Sequence, residues 1–294
     1  MIFYSKLRLK NYLMHEKPFE KIKKNLQNEI PEEIFEKLPS KWEKIGEVLT
    51  IVLPQDVKSY KKTIAEAYAS VLGCKTVLND TGSINGEYRE PNVELLYGSK
   101  NTETIHIENG IRYKLDPQKI MFSSGNMDER IRMAHISNSK ETVVDLFAGI
   151  GYFTLPIAVH SKSEKIFACE KNPVSFDYLC QNITLNNVSS IVEPLQGDNR
   201  RIAPKNVADR VIMGYFGDTH QFLPVAFDCL KNHCGIIHYH DKFADVAVPK
   251  KAVEFVKNTA EKYDRKINLL NFKCVKSYAP GISHYVFDVK VGEK

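Results

Sequence analysis

Apolar positions along the chain change their rhythm near residue 140. Before it, residues 16–37 carry helical spacing. The spacing breaks at "IPEE", where Pro31 followed by Glu32 and Glu33 suits a helix start. "GEVLTIVLP" (46–54) reads as a strand, and "DVKSYKKTIAEAYASVLG" (56–73) as an amphipathic helix closed by Gly73. "CKTVLND" reads as a further strand, and residues 93–116 read as strands joined by turns. "ENG" (108–110) is the tight-turn signal among them. Residues 1–115 are therefore expected to form a small α+β module.

After residue 140 strands and helices alternate. "TVVDLFAG" (142–149) is a strand running into a glycine turn, and "YFTLPIAVHS" begins a helix. "KIFACEKN" (165–172), "SSIVEPLQGDN", "ADRVIMGY" and "CGIIHYHD" (234–241) supply four more strands. Between them lie the helical stretches "PVSFDYLCQNITLNN" (173–187), with Pro173 in its first turn, and "THQFLPVAFDCLKN". After the helix "KKAVEFVKNTAEKY", residues 267–291 give two closing strands that pair like a hairpin. Such alternation predicts a mostly parallel sheet covered on both faces, in a domain spanning 116–294.

Composition narrows the class only slightly. A chain of 294 residues with 43% hydrophobic and 26% charged residues has the usage of one or two globular domains. No run approaches the roughly 20 apolar residues of a membrane span, and the first residues lack a secretory leader's apolar core, so a cytoplasmic protein is expected. The six cysteines show no metal-binding spacing, which leaves them as small buried hydrophobes, and no metal is expected. Net charge is +5. Lys6, Arg8, Lys10, Lys17, Lys21, Lys23 and Lys24 crowd the start against Glu16 and Glu20, which reads either as a basic arm for a phosphate backbone or as a solvated helix face.

Candidate chemistry gathers where the strands end. In "DLFAGIGYFTLP" (145–156) a strand ends in Asp145, and Gly149 and Gly151 permit a turn on which a ligand can touch backbone. It is neither the dinucleotide fingerprint, lacking a third glycine, nor a Walker loop, lacking Gly-Lys-Ser/Thr. "ACEKNP" puts Glu170 at the second strand's end, where a carboxylate can accept from both hydroxyls of a ribose. "QGDNR" sets Asp198 and Asn199 at the third, within reach of an adenine edge. Each has a plain alternative, an ordinary turn or a surface carboxylate, but the three share one rim at the carboxyl ends of the strands, where open α/β sheets bind ligands.

"DLFAGIGYFTLP", "ACEKNP", "QGDNR" and the closing "SYAPGISHYVFDV" resemble the class I S-adenosylmethionine-dependent transferases. With "GEYREPNVELLYG" and "IHIENGIRYKLDPQKIMFSSGNMDER", the chain is more narrowly similar, over roughly residues 38–290, to the archaeal and eukaryotic enzymes that modify the purine 3′ of the tRNA anticodon. The resemblance implies a Rossmann-like seven-stranded, mostly parallel sheet with an antiparallel closing strand, preceded by the α+β module. It implies S-adenosyl-L-methionine as cofactor, tRNA gripped at its anticodon loop as partner, and a monomer without a membrane or metal. Cofactor contacts are implied for Phe122, Ser123, Gly125, Asn126 and Arg130, and for Asp145, Phe147, Gly149 and Gly151. Further contacts are implied for Glu170, Lys171 and Asn172, for Asp198 and Asn199, and for Met213, Gly214 and Tyr215. Catalytic roles are implied for Glu129 as general base and for Arg89 as a base contact; their alternatives are a helix-face ion pair with Arg130 or Arg132 and a surface strand residue.

The family has two branches, a guanine-N1 methyltransferase and a wybutosine-synthesising aminocarboxypropyltransferase. The methylating branch typically carries Phe-Ser-Pro-Arg-Leu and a strand end headed by asparagine, Asn-Pro-Pro; this chain has Phe122-Ser123-Ser124-Gly125-Asn126 and Met213-Gly214-Tyr215. Both departures resemble the second branch. The sulfonium has three activated carbons, and the one presented in line at about 3–3.5 Å is the one transferred. Gly125 and Gly214 are expected to leave room for the methionine part to turn toward the base, with Asn126 holding its carboxylate or amine; Tyr215 would stack on the base or pack in the core. The expected reaction is transfer of the 3-amino-3-carboxypropyl group to C7 of a tricyclic wyosine-type base at position 37 of tRNA-Phe, releasing methylthioadenosine. The alternatives are N1-methylation of guanine 37, a methyltransferase acting on another substrate, and a catalytically silent RNA-binding relative.

Overall fold

The computed structural model describes residues 16–86 and 90–294. Contacts divide it into two units. One takes the described residues up to Ile105 together with Asp116–Phe122, and the other takes His106–Leu115 and Ser123–Lys294.

In the first unit, α1 (Pro18–Leu26) and α2 (Glu32–Phe35) precede a four-stranded sheet of β1 (Glu43–Ile45), β2 (Val48–Ile51), β3 (Thr76–Asn85) and β4 (Glu90–Gly98) in that order. The parallel pair β2–β3 is bridged by α3 (Lys61–Leu72), which Gly73 ends in a left-handed conformation at φ +62°. Leu49, Ile51, Ile64, Tyr68 and Val77 close the core with Ile22 and Leu26 of α1. The lysines of α1 lie on its outer side, where Lys24 pairs with Glu16 and Lys23 sits over the Phe19 ring. Lys6, Arg8 and Lys10 lie outside the described residues.

The contact units divide elsewhere than at residue 115, and a long-range side-chain contact accounts for the difference. β5 (Thr104–Glu108) and β6 (Ile111–Leu115) form the hairpin that "ENG" predicts, with Asn109 and Gly110 both at positive φ. Asn182 and Asn186 stand one turn apart on α6 (Pro173–Leu185 and its C-cap) and serve as a side-chain edge for β6. Asn182 accepts from Lys114 N at 2.7 Å and donates to Lys114 O and Ile150 O, both at 3.1 Å. Asn186 accepts from Arg112 N at 2.9 Å and donates to Arg112 O at 2.7 Å. The hairpin thus belongs with the second unit because two amides satisfy its exposed backbone groups.

That unit is built on a seven-stranded sheet. Its strands are β7 (Thr142–Asp145), β8 (Lys165–Glu170), β9 (Val192–Gln196), β10 (Arg210–Met213), β11 (Gly235–Ala244), β12 (Arg265–Ala279) and β13 (Ile282–Glu293). The spatial order is β12-β13-β11-β10-β7-β8-β9, and only β13 runs against the rest. Strand order reverses between β7 and β10, so the crevice where such sheets bind ligands opens at the carboxyl ends of those strands. Val144, Val211, Phe227, Ile237, Val256 and Phe287 anchor one core layer. Cys169 and Cys229 are buried in the expected way, whereas Cys274 is exposed on β12. No described helix is long and apolar enough to cross a membrane.

Replacing Asn182 with alanine would leave the Lys114 amide and carbonyl and the Ile150 carbonyl without partners. We expect the substitution to cost about 2–3 kcal/mol, read as a lower urea midpoint.

Candidate active site

The first βα turn is drawn tight by carboxylates from two strands. Asp145, wholly buried, accepts from Phe147 N at 3.2 Å and from the Thr154 hydroxyl at 2.8 Å, and so stitches the end of β7 to the start of α5 (Thr154–Pro156, continued by a wider turn to Ser161). Burial raises its pKa to about 6, against those two hydrogen bonds. Glu170 accepts from Gly149 N at 2.8 Å and from Asn172 N at 2.7 Å, one amide on each oxygen. Each oxygen keeps a second acceptor position for a hydroxyl pair. Burial raises Glu170's pKa as well.

Gly149 (φ +58°) and Gly151 (φ +103°) occupy left-handed backbone, and a Cβ on either would lie within 2.7 Å of Tyr152 or Leu155 carbons. Asn172 caps α6 by accepting from Val174 N at 2.9 Å. Asp198 caps α7 (Asn199–Ile202), where its carboxylate is gripped by Arg200, whose hydrogen bonds bring its pKa down to about 2. The exposed Lys171 stands 3.9 Å from Asp198. Asn199 donates to Leu146 O at 2.8 Å, and its buried Oδ1 has no partner. The three strand ends thus form one rim. Asp145 works beneath it, holding the turn, while Glu170 faces the turn itself.

Around β10 the strand end is closely packed. A Cβ on Gly214 would lie 2.9 Å from Phe153 Cε2. Tyr215 stacks on Phe147, with ring centroids 5.0 Å apart and planes at 16°, and meets Phe222 edge-on. Met213 is fully buried. In the linker segment 122–126, Ser123 Oγ accepts from Lys276 of β12 at 2.9 Å, and the lysine's aliphatic stem passes 3.3 Å from where a Gly125 Cβ would be. Asn126 carries a second buried Oδ1 without a partner. Phe122 is buried at the end of the first unit, and Arg89 lies outside the described residues.

Glu129 and Arg130, on α4 (Met127–Met133), are both interior. Arg130 forms a two-pronged pair with Glu108 at 2.6 Å and donates to Ser123 O at 3.0 Å, so it braces the linker against the hairpin. Burial alone would raise Glu108's pKa, but Arg130 and His106 outweigh it and hold the carboxyl at about 2. Glu129 is 0% exposed and bound by Arg132 at 2.7–3.1 Å. Glu129 thus pairs with Arg132, one of the two arginines expected near it, inside the unit and not on an open helix face. Arg132 also reaches Asp288, which receives His238 Nδ1 at 2.6 Å; His238 Nε2 accepts from Arg210, and Arg210 pairs with Glu141.

Beside Glu129 lies a second buried pair, His240 and His284, whose Nδ1 and Nε2 atoms are 3.1 Å apart. Sequence reasoning passed over both. The available signal was polar residues at alternate positions of otherwise apolar strands, in "IIHYHD" and "SHYVFD". A cleft of about 380 Å³ lined by Gly217, Asp218, His220, Lys242 and Lys251 among others contains none of the expected residues. No group of three or more metal-ligating side chains occurs among the described residues.

Burial lowers the pKa of His284 to about 3 and that of His240 well below its ordinary value. An unfolded imidazole titrates near 6.5, so the unfolded chain binds more protons between those limits. Stability is complete above about pH 6.5 and is lost as pH falls toward 3. Urea midpoints measured from pH 7 to 4 should fall, and His284→Gln should flatten that slope.

Known proteins match this arrangement. The TRM5/TYW2 methyltransferase domain family matches residues 104–270, and the TYW2 N-terminal domain family matches residues 22–102. The tRNA(Phe) (4-demethylwyosine(37)-C(7)) aminocarboxypropyltransferase of Pyrococcus horikoshii is 46% identical over 271 residues, covering 92% of this chain and 96% of that protein. The tRNA (guanine(37)-N(1))-methyltransferase Trm5b of Pyrococcus abyssi is 36% identical over 263 residues, 89% of this chain and 78% of its own. The crystal structure of P. horikoshii TYW2 in complex with MeSAdo superposes with a TM-score of 0.85 at 43% identity, covering 94% of this chain and all of that one. That of M. jannaschii TYW2 in complex with AdoMet gives 0.72 at 42%, covering 86% and all of it. By sequence over most of its length and by fold, the chain belongs to the TRM5/TYW2 family.

Proposed function

We propose that the protein transfers the 3-amino-3-carboxypropyl group of S-adenosylmethionine to C7 of 4-demethylwyosine at position 37 of tRNA-Phe. The observation that carries this reading is the paired change of "FSSGN" and "MGY" at the two stretches flanking the reacting carbon, in a chain whose similarity to an aminocarboxypropyltransferase exceeds that to a guanine-N1 methyltransferase. S-adenosylmethionine supplies an electrophilic carbon beside a sulfonium, and methylthioadenosine is what remains when the four-carbon tail departs. A relative's complex with MeSAdo fits that leaving group.

The residues present suit such a ligand. Glu170, already fixed by two backbone amides, offers the acceptor positions a ribose diol needs. Asn199 Oδ1 is a buried acceptor lacking a donor, as an adenine amino group would provide. Asn126 Oδ1 is another, suited to the ammonium of the amino-acid tail, and the Lys276 ammonium beside Ser123 and Gly125 suits its carboxylate. Phe153 fills the space behind Gly214, so the strand end presents flat backbone instead of a side chain. Asn126 and Lys276 would hold the ammonium and carboxylate of the tail, a placement that would turn the four-carbon arm toward the base and the methyl away from it. Free cysteines and a tRNA substrate fit a cytoplasmic enzyme.

Cofactor labelled separately in the methyl group and in the carboxyl carbon tests the reaction with tRNA bearing the precursor base. Carboxyl label should enter the tRNA; methyl label alone would sink the reading. Glu170→Gln puts an amide NH₂ against a backbone N–H, and should weaken cofactor binding in calorimetry about ten- to a hundredfold. Unchanged affinity would remove Glu170 from the cofactor site.

A further inference from the structure

We propose that His240 and His284 form a proton exit that carries the C7 hydrogen of the base to Glu129, with His284 Nδ1 as the receiving atom. The inference rests on the aminocarboxypropyl reading, because alkylation at a ring carbon must be completed by loss of the hydrogen that carbon bears.

The three groups climb from the interior of the sheet to its rim. Met213, the last residue of β10, lies beside Tyr239, so His240 is level with Gly214. His284 pairs with Lys242, two residues nearer the carboxyl end of β11. Glu129 Oε1 stands 3.9 Å from His240 Nε2, and His240 Nδ1 stands 3.1 Å from His284 Nε2. Phe153, the ring behind Gly214, stacks on His240 at 5.1 Å, and Phe216 packs edge-on against His284 at 4.3 Å. The imidazoles therefore back the loop that leaves the reacting strand end.

Charge settles the tautomers. His240 Nε2 and His284 Nδ1 are buried and have no hydrogen-bond partner, which is uncommon enough in folded proteins to ask for an explanation. The Glu129 carboxylate favours a proton on His240 Nε2. His240 Nδ1 must then accept, so His284 donates from Nε2, and its Nδ1 is left as a bare lone pair. The result is a carboxylate–imidazole–imidazole chain ending in an acceptor. It also gives Glu129 a reach that its buried position and its grip on Arg132 otherwise deny it.

The step balances. The C7–carbon bond forms as the carbon–sulfur bond breaks, and the sulfur keeps that electron pair as a neutral thioether. The C7 proton passes to His284 Nδ1, the Nε2 proton of His284 to His240 Nδ1, and the Nε2 proton of His240 to Glu129. Burial favours the neutral form at each stop, lowering both histidines and raising Glu129 against the pull of Arg132 and Lys273. His284 is 1% exposed against the half-buried Phe216, and the proposed relay requires that ring to turn aside for the base to reach Nδ1.

Two measurements test this. Nitrogen-15 histidine spectra of the unmodified protein at pH 7 should show both imidazoles neutral and protonated on Nε2; a proton on His284 Nδ1 overturns the relay. In single turnovers with carboxyl-labelled cofactor, His284→Ala and His240→Ala should slow transfer about 10²-fold while calorimetry shows cofactor affinity kept. The deficit should grow when C7 carries deuterium, which a purely structural defect would not produce. Wild-type rates, or equal losses with hydrogen and deuterium, overturn the proposal. Carboxyl transfer by the unmodified enzyme combined with isotope-insensitive variants removes the relay alone. Methyl transfer alone removes it together with the reaction it serves.

Discussion

The pairing of Arg132 with Glu129 and Asp288 inside the second unit is the interaction on which its site depends. An unpaired charge in that interior would cost several kcal/mol, and one guanidinium spanning two carboxylates removes two such costs at once. The pairing extends through His238 and Arg210 to Glu141, so polar groups from α4, β10, β11 and β13 are held in one register. Burying that chain fixes the protonation of its neighbours. Burial lowers the pKa of His238, and the hydrogen bond from His238 with the charge of Arg132 keeps Asp288 well below the usual carboxylate range although burial acts against them.

A second constraint works at the rim by backbone instead of charge. Gly149 can donate to Glu170 because the turn is drawn in where no Cβ fits, and Asn172 donates to the same carboxylate while its side chain starts α6. One carboxylate therefore ties the first turn, the second strand and the next helix together. Burial raises its pKa, and the amide hydrogen bonds oppose that rise by favouring the charged form that accepts from hydroxyls.

The order of elements and the shared rim of the strand ends were legible because they depend on local rules. Alternating strand and helix periods gave the sheet, the positive-φ turn at Asn109–Gly110 gave the hairpin, and acids at successive strand ends marked the crevice. The unit boundary was not legible, since it turns on Asn182 and Asn186 meeting a strand more than 60 residues earlier in the chain. The fate of Glu129 was equally hidden. Its neighbours in sequence named Arg132 as a partner, but no periodicity on α4 reports its complete burial or the nearness of His240 on β11. His240 and His284 stood in apolar strands as visible exceptions, yet only their pairing across the antiparallel ladder gives them a shared role.

Gly214 shows how these constraints meet. Taken by itself, a glycine at the strand end means freed volume. In the structure that volume is already taken by Phe153, which is held in place by stacking on His240, itself bonded to His284. A side chain at position 214 would have to displace a ring fixed on its far face by a buried imidazole. The missing side chain and the histidine pair are therefore two ends of one packing arrangement. The flat strand end that suits a turned methionine tail is enforced from the same interior that buries Glu129.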